Sequence, residues 1–507
     1  MNFMSILGLE GAAPETSAPP AFFPDLNLDQ VVHAITAPKD AYALAPIFYT
    51  PLHNAEAVRF RQAVMQDVEQ PEILALLNNF ADQMRSARIH LNGSEEAYQA
   101  PAKRAWFLDA AEFYCNALLE LHGGWASLML VSSGLKGFRE YLAKQVDSLW
   151  FRDFHAELLQ LRADLASVRY GLLIRGSAVT VRKYHEEADY AAEVVNTFER
   201  FQQGNVKDYR VRLSEGYGMD HIEGQIATFV AKLHPEIFGR LESFYQQYQN
   251  FMDVVIERFD REIQFYVAYV DYMATFRQQG LTFCYPEVSH DRRIRVTATF
   301  DLALARKLLK GNQAIVCNDF YLEQPERIFV VSGPNQGGKT TFARMFGQLH
   351  YMACLGCPVP GREAKLFQFD QMFTHFEHEE PVEDLHGKLQ DDLLRVHDIL
   401  SSATSNSIIL LNEIFSSTSL EDATILARQV LETIRQLGAW CVVVTFIDEL
   451  ASQQEELVSL VGTVQPDRPE IRTYQIVRRP ADGLAYAIAL AEKYQLTKEQ
   501  LKERLVR

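Results

Sequence analysis

The stretch GPNQGGKT, residues 333–340, constrains this chain more than any other segment. It fits G-x-x-x-x-G-K-[ST] at Gly333, Gly338, Lys339 and Thr340, and lies between an apolar run, RIFVVSG, and a helical pattern, GKTTFARMFGQLHYMACLG. Strand, glycine loop and helix in that order are what a phosphate-cradling P-loop requires. Glycines let backbone N–H groups converge on phosphate oxygens, the lysine balances their charge, and the Thr340 hydroxyl suits Mg2+. Further along, SNSIILLNEI, LEDATILARQVLETIRQLG and AWCVVVTF continue the alternation of buried strand and helix. That alternation predicts a mainly parallel sheet covered on both faces, from about residue 281 to the end of the chain.

Before residue 281 the texture is different. Residues 1–25 include a stretch rich in Ala, Pro and Glu and read as a flexible tail. From 26 to about 165, apolar residues recur at three and four spacing with few breaks, which predicts a helical bundle. Around 167–184 the period becomes two on either side of an Arg-Gly-Ser, predicting a β-hairpin. From 235 to 280, Phe244, Tyr248, Phe251, Val255, Phe259, Ile263, Tyr266, Tyr269, Met273 and Phe276 form one apolar stripe. If continuous, it predicts a helix roughly 60 to 70 Å long. The fold class is therefore α plus α/β.

The net charge of −17 excludes a surface that coats nucleic acid everywhere. It leaves room for a local basic segment, and the hairpin supplies one in Arg175, Arg182 and Lys183. Six scattered cysteines and the lack of an apolar run of about 18 residues point to a reduced, cytoplasmic protein with no membrane span. Cys354 and Cys357 form a C-x-x-C without a second pair, which reads as packing rather than a metal or redox site. His375 and His378, in FTHFEHEE, read as a solvated surface strand or loop.

Four segments carry a family resemblance: SGPNQGGKTTFARM, ATSNSIILLNEIFSSTSLEDA, VVVTFIDEL and the upstream VCNDFYL. Together they resemble the ATPase domain of the MutS family of DNA mismatch-repair proteins. The helical region 26–280 looks like that family's core, lever and clamp, and AYAIALAEKYQLTKEQLKERL looks like its closing helical dimerisation segment. The resemblance implies an ABC-type P-loop ATPase using ATP and Mg2+, dimeric through the ATPase domain, closing helical arms on duplex or branched DNA. It assigns the nucleotide cradle to Gly333, Pro334, Asn335, Gln336, Gly337, Gly338, Lys339, Thr340 and Thr341, with Lys339 and Glu413 catalytic. Thr340 would hold the metal directly and Asn412 through water, while Thr418 and Ser419 would face the partner subunit.

The departures from the family pattern are specific. The aspartate expected before Glu413 is Asn412, the switch histidine is Phe446, and the serine that reaches across the dimer falls at Gly387. The mismatch-reading F-x-E has no counterpart beyond Phe138-Arg139-Glu140, which lies inside a helical stretch. The helical pattern starts near residue 25, leaving no room for a mismatch-recognition domain, and the chain stops soon after the ATPase segment, leaving none for a nuclease. The expectation is a shortened member acting on DNA without reading mismatches. A nucleotide-switched scaffold, or an ATPase acting on the ribosome or RNA, remains the alternative.

Overall fold

The computed structural model describes residues 3–8, 15–176, 178–185, 221–377, 387–451 and 454–481. The helices in chain order are α1 (Leu28–Thr36), α2 (Ala45–Phe48), α3 (Ala55–Val68), α4 (Pro71–Glu96), α5 (Ala100–Gly124), α6 (Ser133–Asp147) and α7 (Leu149–Ser167). They continue as α8 (His221–Leu233), α9 (Pro235–Gln247), α10 (Val254–Arg277), α11 (Leu302–Lys310), α12 (Lys339–Cys354), α13 (Lys388–Ser402) and α14 (Leu420–Leu437). The chain divides into two compact units.

The first unit comprises residues 1–3, 71–130 and 136–260, and its described residues are helical apart from one hairpin, β1 (Tyr170–Arg175) with β2 (Ala178–Lys183). Its core is aromatic: Phe107, Tyr114, Trp125, Phe138, Phe154, Phe244, Phe251 and Phe259 are all buried. Phe138 stacks on Phe259, so the F-x-E phenylalanine is a core residue. A two-pronged bond from Arg104 to Glu242, at 2.6 and 2.9 Å, ties α5 to α9.

The predicted single rod over 235–280 is instead two helices, α9 and α10, and α10 alone, with 24 residues, is about 36 Å long. Phe251 leaves the helical path to pack edge-on against Phe107 and Tyr114. Asp253 then starts α10 afresh, its Oδ1 accepting from the N–H of Val255 at 2.9 Å and Ile256 at 3.1 Å. Burying one ring and capping a new helix outweigh one uninterrupted turn.

The second unit comprises residues 4–70, 131–135 and 261–507, so the sheet-bearing part recruits segments from far upstream. Asp67 explains one of them, accepting from the N–H of Val131 at 2.9 Å and of Ser132 at 2.8 Å. The expected tail is a second correction. Ile6, Leu7 and Phe23 are buried, and Glu262 accepts from Ser5 Oγ and the Ile6 N–H, both at 2.9 Å. A buried carboxylate needs such donors, and the N-terminal strap supplies them.

The remaining strands are β3 (Phe283–Cys284), β4 (Glu287–Ser289), β5 (Ile294–Thr299), β6 (Asn318–Leu322), β7 (Ile328–Ser332), β8 (Val359–Pro360), β9 (Glu363–Phe367), β10 (Met372–His375), β11 (Ile408–Asn412), β12 (Trp440–Val444), β13 (Leu457–Gln465) and β14 (Arg468–Arg478). The main sheet has the order β10-β11-β12-β7-β13-β14. Its first five strands run parallel and β14 is antiparallel to β13. On one face Val330, Ile409, Leu411, Cys441 and Val443 share a core with Ala427 and Ile434 of α14. On the other, Phe329 meets Phe342 and Phe346 of α12 edge-on. With both faces covered, the strands are continuously apolar, and their carboxyl ends are where a ligand can reach the sheet.

Candidate nucleotide site

β7 ends at Ser332 and the chain turns at once through Gly333, whose φ of +113° falls where only glycine sits without strain. A Cβ there would stand 2.9 Å from the backbone N and O of Gly462 on β13, so the loop and its neighbouring strand touch through bare backbone. Gln336 at φ 59° and Gly338 at φ 94° complete the turn, and the Gly337 N–H donates to Pro334 O at 3.1 Å. Gly338 opens α12, aiming the helix's first N–H groups into the loop.

Lys339 is 4% exposed and folds back over the loop. Its Nζ donates to Gly333 O at 3.1 Å, Pro334 O at 3.3 Å and Asn335 Oδ1 at 3.3 Å, and lies 4.0 Å from Glu413 Oε1. Burial pulls its pKa below the ordinary lysine range, Glu413 and Asp448 pull it back up, and Arg472 lowers it. Thr340 Oγ1 donates to Asn412 Oδ1 at 2.9 Å, and Thr341 faces the cavity beside the loop.

Glu413 follows β11 in the left-handed region at φ 55°, its N–H donating to Val444 O at 2.9 Å. Two residues on, Phe415 is also left-handed at φ 60° and fully buried. Burial of Phe415 pins the turn that leaves Glu413 at the strand end. Asp392 of α13 braces this turn, its Oδ2 accepting from the Phe415 N–H at 3.3 Å while its Oδ1 pairs with His375 Nε2 at 3.0 Å. His375 is therefore buried at the end of β10, a correction to the solvated strand or loop expected from its acidic neighbours; the pairing with Asp392 compensates its burial. His378 lies outside the described residues.

The other candidates are scattered. Ser419 caps α14 by accepting from the Asp422 N–H at 3.1 Å, Gly387 precedes α13, and Phe446 is 47% exposed. Cys354 and Cys357 are buried, and burial pushes the Cys354 thiol up to about 12. The closing helical segment lies outside the described residues. On the hairpin, cross-strand partners share a face. Gly171 opposes Arg182 and Arg175 opposes Ala178 on one face, while Tyr170 opposes Lys183 on the other. Arg175 and Arg182 thus point the same way and Lys183 does not.

Three features escaped the sequence reading. A cavity of about 460 Å³ opens beside Gly338 and Thr341, lined by Leu304, Ile315, Val316, Asn318, Phe342 and Tyr474. Its apolar walls with a few polar groups suit a flat heterocycle next to a phosphate cradle. The VCNDFYL segment was the only sequence signal for it. The second is Arg472, whose Nε donates to Asn335 O at 3.3 Å. The third is the Asp392 brace.

For Mg2+, the chain offers the Thr340 hydroxyl as a direct ligand and the Asn412 amide as an acceptor for a metal-bound water. These fit the ion's preference for few protein ligands, but both are neutral. No group of three or more His, Cys, Asp or Glu side chains suited to a metal occurs among the described residues.

A buried strand, a glycine loop closed by backbone, a lysine folded over it and an acid at the end of β11, one strand removed across β12, define a P-loop domain of the α/β class. Residues 329–503 match the family model MutS domain V. The chain is 30% identical over 216 residues to a DNA mismatch repair protein MutS of Geobacillus sp. strain WCH70, covering 42% of this chain and 25% of that protein. It is 29% identical over 204 residues to an Endonuclease MutS2 of Gemmatimonas aurantiaca, covering 39% and 25%. A MutS of Brevibacillus brevis is 36% identical over 149 residues, covering 29% and 17%. Over its C-terminal part the chain thus matches MutS domain V, the ATPase domain, and is similar there to MutS and MutS2 proteins. The chain spans about a quarter or less of the length of these relatives. Among the described residues no helix is long and apolar enough to cross a membrane.

Proposed function

We propose that this chain is a cytoplasmic, ATP-hydrolysing DNA clamp of MutS type, working as a homodimer through its ATPase domain. It acts on duplex or branched DNA rather than on mismatches. The observation that carries this reading is the convergence of Lys339, Thr340, Asn412 and Glu413 at the ends of β7 and β11. The loop N–H groups and Lys339 bind and orient the β- and γ-phosphates, and the base lies in the cavity between Val316 and Tyr474. Mg2+, when bound, supplies positive charge to the phosphate oxygens. Thr340 and Asn412 hold it, and Glu413 accepts the proton of the attacking water. Thr418 and Ser419 face the second subunit, and Arg175 and Arg182 contact the DNA backbone.

A second reading rests on Asn412. An amide hydrogen-bonded to Thr340, where the family has an acid, suits a nucleotide-switched scaffold or an RNA- or ribosome-acting ATPase with little turnover.

Steady-state hydrolysis, alone and with homoduplex, mismatched, branched and single-stranded DNA, separates the two. The clamp reading expects one DNA class to change the rate, and Glu413→Ala to lower it about 100-fold or more with ATP binding intact. ATP binding without turnover on any DNA overturns the clamp reading and leaves the switch. Unchanged turnover in Glu413→Ala removes that residue as the base.

A further inference from the structure

The charge around the loop is arranged differently from what a P-loop with an acidic strand end provides. At the end of β11 the pair Thr340–Asn412 is neutral. On the opposite side, the β13–β14 hairpin brings its backbone against the loop at Gly462, lays Tyr474 beside Gly338 and places Arg472 on Asn335 O. Asn335 also receives Lys339 Nζ through its side-chain oxygen, so one loop residue is held by both cations, one on its side chain and one on its backbone carbonyl. Burial is the main cause that lowers the Lys339 pKa, and the nearby charge of Arg472 acts in the same direction.

A bound triphosphate carries about four negative charges near neutral pH. Where a strand-end carboxylate adds another, a divalent cation is needed to screen acid from phosphate. Here Asn412 replaces one of two consecutive strand-end acids, leaving Glu413 alone 4.0 Å from Lys339 Nζ, so that repulsion is reduced, and a second cation is present. We propose that Arg472 is a second cation of the phosphate cradle and that this site holds nucleoside triphosphate whether or not Mg2+ accompanies it. The inference rests on the nucleotide-binding reading above, and it concerns binding, not turnover. Arg472 acts by its charge, and the Nε bond to Asn335 only sets where that charge stands.

The test is titration of a fluorescent ATP analogue against the full chain, with Mg2+ or with EDTA, and circular dichroism to verify that each variant is folded. Wild type is expected to lose less than about threefold in affinity when the metal is removed. Arg472→Gln should lose about tenfold or more in EDTA but little in Mg2+, the scale of one unit charge in a partly solvated site. Arg472→Lys keeps the charge without the planar fork and should follow wild type. Asn412→Asp should restore dependence on Mg2+, losing about tenfold in EDTA. Wild-type binding that vanishes in EDTA overturns the proposal, and so does Arg472→Gln weakening binding equally in both buffers. Arg472→Lys behaving like Arg472→Gln overturns the charge argument in favour of the hydrogen bond. If wild type binds in neither buffer, the nucleotide-binding reading itself fails; binding in Mg2+ alone leaves that reading standing and sinks only this inference.

Discussion

In the loop after β7, a few polar atoms define the geometry. Lys339 is held by two carbonyls and one amide oxygen, Thr340 by Asn412, and Gly333 by the backbone of Gly462. The helical unit is built the other way, with its centre filled by aromatic rings such as Trp125, Phe138, Phe154 and Phe259. Around it, partly exposed pairs such as Arg104 with Glu242 tie one helix to the next, here α5 to α9. The first arrangement depends on residue identity at fixed spacing; the second depends on volume and periodicity, and tolerates many sequences. Chemistry is therefore concentrated in one unit, while mechanical integrity is spread through the other.

The largest effect that separates them is expected from Phe138→Ala. Its ring stacks on Phe259 and meets Trp125 edge-on in a fully buried position. Truncation should cost about 3–5 kcal/mol, read by chemical denaturation. ATP affinity, measured where the variant is still folded, should not change. If Phe138→Ala weakens ATP binding as strongly as stability, the division of labour between the two units is wrong.

A buried histidine in the nucleotide-binding unit gives the next effect. His350, on α12 behind the loop, is fully buried with its Nδ1 2.8 Å from Phe346 O, and its Nε2 has no hydrogen-bond partner among the described residues. Burial lowers its pKa from 6.5 to about 4. The folded state therefore keeps the ring neutral, so this contribution to stability is present above pH 6.5 and is lost as pH falls towards 4. Full protonation of the unfolded chain over that window corresponds to about 3 kcal/mol. His350→Leu should flatten the pH dependence of the denaturation midpoint between pH 6.5 and 4, and a slope as steep as wild type would assign the acid sensitivity elsewhere.

The same contrast explains what the sequence disclosed. The loop was legible because its residues are contiguous, and β7, β11 and β12 because buried parallel strands are unbroken apolar runs. The break between α9 and α10 was not, because Phe251 fits a helical stripe as well as it fits the pocket formed by Phe107 and Tyr114. The N-terminal strap looked like a tail because its partner, Glu262, lies 257 residues from Ser5. Arg472 and Asp392 escaped for the same reason: each acts on a loop far away in sequence, Arg472 on Asn335 and Asp392 on Phe415. Local periodicity carries no record of such pairings.

The smallest effect asks whether the helical unit holds any residue-specific chemistry. Its candidate is the hairpin, where the register puts Arg175 and Arg182 on one face and Lys183 on the other. Four strand positions separate the two arginines when Arg175 is projected onto Ala178, about 13 Å at strand spacing. DNA phosphates along one strand are about 7 Å apart, so the pair can meet alternate phosphates while Lys183 faces away. Reversing both arginines to Glu should weaken duplex binding about tenfold at low salt and reduce the dependence of binding on salt by about two phosphate contacts. Lys183→Glu alone should change either by less than half as much. Fluorescence anisotropy with a labelled duplex over a salt series reads both. Equal effects from all three positions would mean that the hairpin contributes only a diffuse positive field. A larger effect from Lys183 would put the DNA on the Tyr170 face, where an exposed aromatic ring and Leu172 stand beside it.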